Sequence, residues 1–523
     1  MRRLSAIVLL IGLSFGSGCQ KETATPPAHR HPPGPTLTQA PPPPAPPVSD
    51  VLLRWHFVGA EQLAGNTNAA KVREVWALPA SADLRAQAFK RLADVLPGQW
   101  SLSTNATNTA ALIRPLLDDL VRAESVFELG SAAGGSPDWS LAIDLDDQRA
   151  ALWQTNVGSL TGAGFWRSGR WVVFASAAAA PPAARLLAEI KKTGRPVPAT
   201  TNHWLEVQAD LPRLAKKLSW PAQVEWPHAL LSINGKDGYL RSNLRMRFIK
   251  PLSLSLEAWQ IPTNIIHDPV ISFTAVRGVA AWLREQPLFR QLEIQPAPNQ
   301  AFFWAQTPVP TQTFFALPAP GAAGQMERLA PALMKLWNTN LLARQRGEFI
   351  LGSNRTEIIW ARVPVPLAGP FLRPAPDAQG SFLMGGLFPP VPAPNPLPQE
   401  LLQQISGRTN LVYYDWEVTQ PRLLQWHQMF QLTTMLFNRM PDLGLGAGQQ
   451  WFLAVAPLLG NTISEVTAAS PQELVLTRKS HLGFTGIELV LLGRWLEDAP
   501  LPWQEQKSLA PSAPGVVKPP PAP

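Results

Sequence analysis

Cysteine is almost missing from this chain: Cys19 is the only one in 523 residues. An intrachain disulfide and a cysteine-built zinc site are therefore excluded. Histidines number eight and are scattered, with no pair at helical metal-ligand spacing, so neither a metal nor a cofactor is expected. His56, His203 and His427 sit beside tryptophans or on apolar faces and read as satisfied, partly buried side chains. The phosphate-cradling loops Gly-x-x-x-x-Gly-Lys and Gly-x-Gly-x-x-Gly do not occur. One Gly-x-Ser-x-Gly run exists, Gly12 to Gly16, inside an apolar N-terminal segment where a nucleophile elbow has no strand to end. Charge is sparse: 16% of residues carry it, and the net of +8 is spread too thinly to mark a nucleic-acid partner. Tyrosine is rare, three against twenty tryptophans, and most of the tryptophans fall in apolar stretches that read as core.

What is abundant is proline, 56 residues piled up toward the two ends. Residues 23–48 and 508–523 read as unfolded spacers. Polyproline II geometry would let the first of them hold a body on the order of 80 Å from its start. Before it come Arg2 and Arg3, an apolar run from Leu4 to Phe15 that is too short to span a bilayer, and then Gly16-Ser17-Gly18-Cys19. This start resembles the signal peptide of bacterial lipoproteins. Ser17 and Gly18 fit that pattern, and Gly16 stands where leucine is usual. The resemblance implies that Cys19 is acylated and becomes the mature N-terminus, a two- or three-chain anchor that holds stably. Gln20 after the cysteine implies the outer membrane.

The middle, 46% of the whole chain being hydrophobic, is long enough for more than one core. Strands are expected at 50–60, Phe127–Ser131, Trp139–Leu145, Trp171–Ser176 and 203–209, and a hairpin at Leu230–Asn234 and Tyr239–Phe248. Leu84, Ala88, Leu92 and Val95 have helical spacing with a stop at Pro97-Gly98, and further helices are expected at 109–124 and 183–193. A later hairpin, Ile463–Ala468 with Leu474–Lys479, precedes a capping box, Thr485 with Glu488. The stretch Leu401 to Leu424 repeats the order of Leu186 to Leu214: a helix, Gly-Arg, Thr-Asn, an aromatic strand, Pro-Arg-Leu. Four matches suggest a duplication, with offsets of 221 (Leu333 and Leu112), 222 (Leu351 and Leu129), 211 (Gly380 and Gly169) and 211 (Glu417 and Glu206). The expected fold is α+β, with largely antiparallel sheets and helices in two related halves. The expected divisions are a signal peptide at 1–18, a lipidated linker at 19–49, halves at 50–270 and 271–500, and a tail at 501–523.

Two groups of residues could carry function. Asp415 and Glu417 lie two apart on a strand and so share a face, as the paired carboxylates of glycoside hydrolysis require. Asp-Trp-Glu also resembles the end of the chitinase-type signature, although the upstream aspartates are missing. Arg241, Arg245 and Arg247 form a row on one face of a strand, able to grip phosphate or carboxylate or simply to wet a sheet. The expectation is a lipid-anchored cell-envelope protein, a non-catalytic binding or scaffold component with an envelope protein or glycan as partner. The alternative is a surface glycan hydrolase using Asp415 and Glu417.

Overall fold

The strands at the centre of the first half are apolar on both sides, so the sheet must be covered on both sides there. Val126, Ala142 and Val173 point one way, and their chain neighbours Phe127, Leu141 and Phe174 point the other. The structure, a computed structural model, describes residues 51–497 apart from short connecting segments, the longest being 101–108, 131–137 and 437–445. Cys19, the Pro-rich linker and the tail at 501–523 lie outside the described residues. Among the described residues no helix is long and apolar enough to cross a membrane.

The first half contributes β1 (Val51–Phe57), β2 (Ser125–Gly130), β3 (Trp139–Asp144), β4 (Gly164–Ser168), β5 (Trp171–Ala175), β6 (Leu205–Asp210), β7 (His228–Lys236) and β8 (Tyr239–Arg247). Its helices are α1 (Ala60–Ala64), α2 (Ala70–Trp76), α3 (Pro79–Trp100), α4 (Thr109–Arg122), α5 (Asp147–Thr161), α6 (Pro181–Thr193) and α7 (Leu211–Leu218). After the short β9 (His267–Asp268), the second half supplies β10 (Ser272–Arg277), β11 (Gln300–Ala305), β12 (Thr313–Pro318), β13 (Glu348–Leu351), β14 (Ile358–Ala361), β15 (Phe371–Asp377) and β16 (Gly380–Gly386). It continues with β17 (Asn395–Pro396), which pairs with β9, then β18 (Leu411–Val418), β19 (Asn461–Ser470) and β20 (Glu473–Ser480). Its helices are α8 (Ala280–Glu285), α9 (Ala322–Ala343), α10 (Gln399–Gln403), α11 (Thr419–Leu436), α12 (Ala447–Val455) and α13 (Gly486–Glu497). The fold is α+β, and among the described residues it is built around one antiparallel sheet of 18 strands.

Hydrogen bonding orders the first half β4-β5-β3-β2-β1-β6-β7-β8. The second half runs β15-β16-β12-β11-β10-β18-β19-β20, the same winding, with the β13–β14 hairpin added outside β15. The last strands of the two halves, β8 and β20, pair antiparallel from Leu240↔Ser480 to Arg247↔Glu473. Each half therefore ends on its counterpart's edge, which satisfies the backbone groups that both would otherwise expose. Antiparallel pairing of like strands implies a pseudo-twofold axis through the middle of this ladder.

That topology corrects part of the repeat alignment. The turn glycines match: Gly169 and Gly380 join β4 to β5 and β15 to β16 with φ of 61° and 134°. So do Gly194 and Gly407, with φ of 79° and 80°, which follow α6 and α10. Phe349–Leu351, however, is β13 at the outer edge, whereas Phe127–Leu129 is central β2, whose counterpart is β11. Leu333 on α9 follows the third strand of its half, so it corresponds to α5 and not to Leu112 on α4. Glu206 and Glu417 lie on opposite faces. Val207 lines up through Leu231, Leu244, Leu476 and Val466 with Tyr413, which shares its face with Asp415 and Glu417. A slip of one residue reverses every side chain of a strand, and an offset of 211 contains such a slip. The helix at Leu84 also runs on to Trp100 through the expected stop at Pro97-Gly98.

One face of the sheet carries α3, α4, α5 and α7 over Leu53, Phe127, Leu141, Val172 and Val207. In the second half the same face is covered by α11, α12 and α13, with α9 packing on Ile358 and Leu383. Leu84 of α3 joins the second half's helical cluster with Trp451 and Phe452, so α3 ties the two halves together. The opposite face carries α6 over Val126 and Val173, and α10 with the segment around Ile261 and Ile266 over Phe273, Phe302 and Tyr414.

Candidate functional site

Between those two covered flanks the second face is open. Leu230 is 42% exposed there, and Asn243, Arg245 and Thr477 are exposed beside it on three adjacent strands. Arg241, Arg245 and Arg247 of β8 point to this face, since Leu244 points to the other. The expected arginine row therefore exists, but it lies at the junction of the two halves and not on an outer strand. Arg245 Nε donates to Glu473 Oε1 at 2.9 Å across the junction. Arg241 stands 3.9 Å from Asp237, beyond hydrogen-bond reach. Arg247 forms no ion pair or side-chain hydrogen bond with another described residue. Lys479, opposite Arg241, lies 4.4 Å over the Tyr239 ring, which stacks on His481 at 5.0 Å. Arg408, after Gly407, grips Glu465 with two bonds of 2.6 and 3.0 Å at one side of the open strip. Arg195, after Gly194, holds Glu124 at 2.6 and 2.7 Å at the other. His56 and His203 behave as expected, meeting Glu124 at 2.9 Å and Glu206 at 3.1 Å; His427 meets Gln431 at 3.1 Å through Nε2 but has a buried Nδ1 without a hydrogen-bond partner among the described residues.

Asp415 and Glu417 are brought together as expected, but inside the protein. Both project from β18 to the helix-covered face and are 7% and 3% exposed. Thr274 Oγ1 donates to Asp415 Oδ1 at 2.6 Å. Glu417 Oε1 accepts from Thr462 Oγ1 at 3.0 Å and from the Gly486 N–H, the first residue of α13, at 2.6 Å. Arg422 of α11 is buried beside them, its Nε 3.9 Å from Glu417 Oε2, while its Nη1 donates to Gln425. Burial, then the neighbouring Asp415 carboxylate, push the Glu417 carboxyl up to about 7, against Arg422 and the two donors. Burial likewise raises Asp415, opposed by Thr274, Arg478 and Arg422. Hydrolysis of a glycan needs two carboxylates open to a substrate cleft. These two have their oxygens against helix and sheet, and a sugar cannot reach them in this state.

Sequence reading missed the reach of this cluster, and it missed Arg277. That side chain is 1% exposed, the most deeply buried cation on the open strip's flank. Its only sequence signal is a position at the end of an apolar strand before Gly278. Among the described residues no group of three or more histidine, cysteine, aspartate or glutamate side chains is placed to hold a metal ion. The chain is thus a duplicated α+β protein with an open, arginine-bearing sheet face between its halves. No family model, curated protein or solved structure matches it.

Proposed function

We propose that this is a lipid-anchored cell-envelope protein, tethered through Cys19, whose body is a non-catalytic binding component. Its ligand surface is the open sheet face across β7, β8 and β20, and the ligand is an anionic group of the envelope, on lipid, glycan or protein. The single observation that carries this reading is the uncovered arginine row at the junction, with Arg247 uncommitted to any described acid. The Pro-rich linker supports the same reading, since it gives the body room to reach along a membrane surface. Hydrolysis is not favoured, because Asp415 and Glu417 lack a cleft.

The test is sedimentation of the full chain, carrying Cys19→Ser to remove the anchor's own contribution, with vesicles of anionic or neutral phospholipid. A basic residue near an anionic surface contributes about 1 kcal/mol. Replacing Arg241, Arg245 and Arg247 with Ala is expected to weaken anionic-vesicle binding at least about tenfold, with the Glu473-paired Arg245 contributing least. Equal retention of the triple variant would remove this surface from the account.

A further inference from the structure

The two halves differ most where they should agree. On the helix-covered face, β1 and β6 present Leu53, Trp55, Val207 and Ala209 as facing pairs. The equivalent strands β10 and β18 present Ser272 opposite Glu417 and Thr274 opposite Asp415. A greasy core in one copy is thus a cluster of ionisable groups in the other, although both are roofed by helices. The roof rests directly on it. Glu417 takes the N–H of Gly486, which starts α13, and the backbone there is so close to α11 that a side chain on Gly486 would lie 2.7 Å from the Leu423 nitrogen. One carboxylate therefore holds the start of α13, and α13 there packs directly on α11.

Cations in reach do not balance the acids. From β18 come Tyr413, Asp415 and Glu417; burial pushes the Tyr413 phenol up, so it stays neutral. From β20 comes Arg478, already engaged with Ser464 at 2.7 Å and Glu488 of α13 at 3.5 Å. From α11 comes Arg422, with no hydrogen-bond partner on Nε, and His427, which burial holds below its usual range. Arg494 of α13 is turned to the Phe430 ring, 5.2 Å away. Three acids, Asp415, Glu417 and Glu488, thus share two guanidiniums, Arg422 at 3.9 Å from Glu417 and Arg478 at 3.5 Å from Glu488, and like charges so placed do not all ionise at small cost.

We propose that α11 and α13 form a proton-latched cover, clamped to the sheet while the Asp415–Glu417 pair carries a proton and loosened when that proton leaves. The sign follows from linkage. Glu417 has its carboxyl at about 7 when covered and near the ordinary 4.5 when the cover opens. The clamp is complete below the lower value, weakens as pH rises between the two, and levels off above the higher one.

Hydrogen exchange of the full chain, corrected for the intrinsic pH dependence of amide exchange, reads this directly. The open population of α13 is expected to rise about tenfold per pH unit between about 4.5 and 7 and then flatten, while α4 and α6 show no such rise. Glu417→Gln keeps an acceptor for the Gly486 N–H without a charge and is expected to abolish the rise. Asp415→Asn relieves the like charge and is expected to make the rise flatten at a lower pH. Protection of α13 that stays parallel to that of α4 across this range in the unaltered protein overturns the latch, as does a Glu417→Gln protein that keeps the rise.

Discussion

Arg277→Met is expected to lower the stability of the protein by about 4 kcal/mol, read as a fall in the urea midpoint with an unchanged slope. Arg277 ends β10 and lies fully buried without a carboxylate partner. Its Nε donates to the Leu411 carbonyl at 2.7 Å, and one Nη donates to Arg408 and Thr409 carbonyls at 2.7 and 2.8 Å. The other Nη reaches the Glu257 carbonyl, and the guanidinium lies 4.5 Å over the Trp259 ring. The segment entering the second half and the loop entering β18 are thus fastened to one side chain. Methionine keeps the apolar stem and the volume but strands the buried Leu411 carbonyl, at about 1 to 3 kcal/mol, and forfeits three part-buried bonds from a charged donor to the Glu257, Arg408 and Thr409 carbonyls. A loss under about 1 kcal/mol would mean that water or a shifted loop replaces the guanidinium without strain.

Arg195→Ala is expected to cost about 2 kcal/mol at pH 7, less than the loss of a fully enclosed ion-pair partner because Arg195 is 40% exposed. Glu124, almost wholly buried, also accepts from His56 and from Gln62 at 2.7 Å. Burial acts to raise its carboxyl, but the hydrogen bonds from His56, Arg195 and Gln62 outweigh it and hold the group below its ordinary 4.5. The stability contributed by this depressed group is present above 4.5 and is lost as pH falls through its folded value. The cost of Arg195→Ala should therefore shrink on acidification, measured as urea midpoints of both proteins at several pH values. The two halves are expected to respond to acid in opposite senses and in different ranges: the proposed latch tightens as pH falls from about 7 to 4.5, and Glu124 loses its grip below 4.5. A pH-independent cost would mean that Arg195 acts through packing alone.

Patterns that repeat within a few residues were legible in the sequence. The alternation in Tyr239–Arg247 and its turn gave the β7–β8 hairpin and the facing of its arginines. Thr485 and Glu488 form the expected reciprocal cap, with Thr485 N–H donating at 2.7 Å and Glu488 N–H at 3.3 Å. Turn glycines survived duplication because left-handed backbone admits few substitutes, so Gly169 and Gly380 could be matched across the chain. What failed was parity. Glu206 and Glu417 look alike in sequence, yet bulges such as the one between Leu411 and Tyr413 shift register, and only the ladder says which face a residue takes. Burial of Asp415 and Glu417 was not legible either, because it is set by where α11 and α13 land. Arg277 was invisible for a related reason: its partners are backbone carbonyls, three of the four some 130 residues away, which carry no sequence signature.

The proposed attachment through the thiol of Cys19 would place this surface beside a membrane. It is tested most directly by growing cells that express the full chain, or its Cys19→Ser form, with a clickable fatty acid and then fractionating them. The proposed anchoring predicts label on the unaltered chain in the membrane fraction, with Cys19→Ser unlabelled and released. An unlabelled parent chain, or a serine form that stays in the membrane fraction to the same extent, would contradict it.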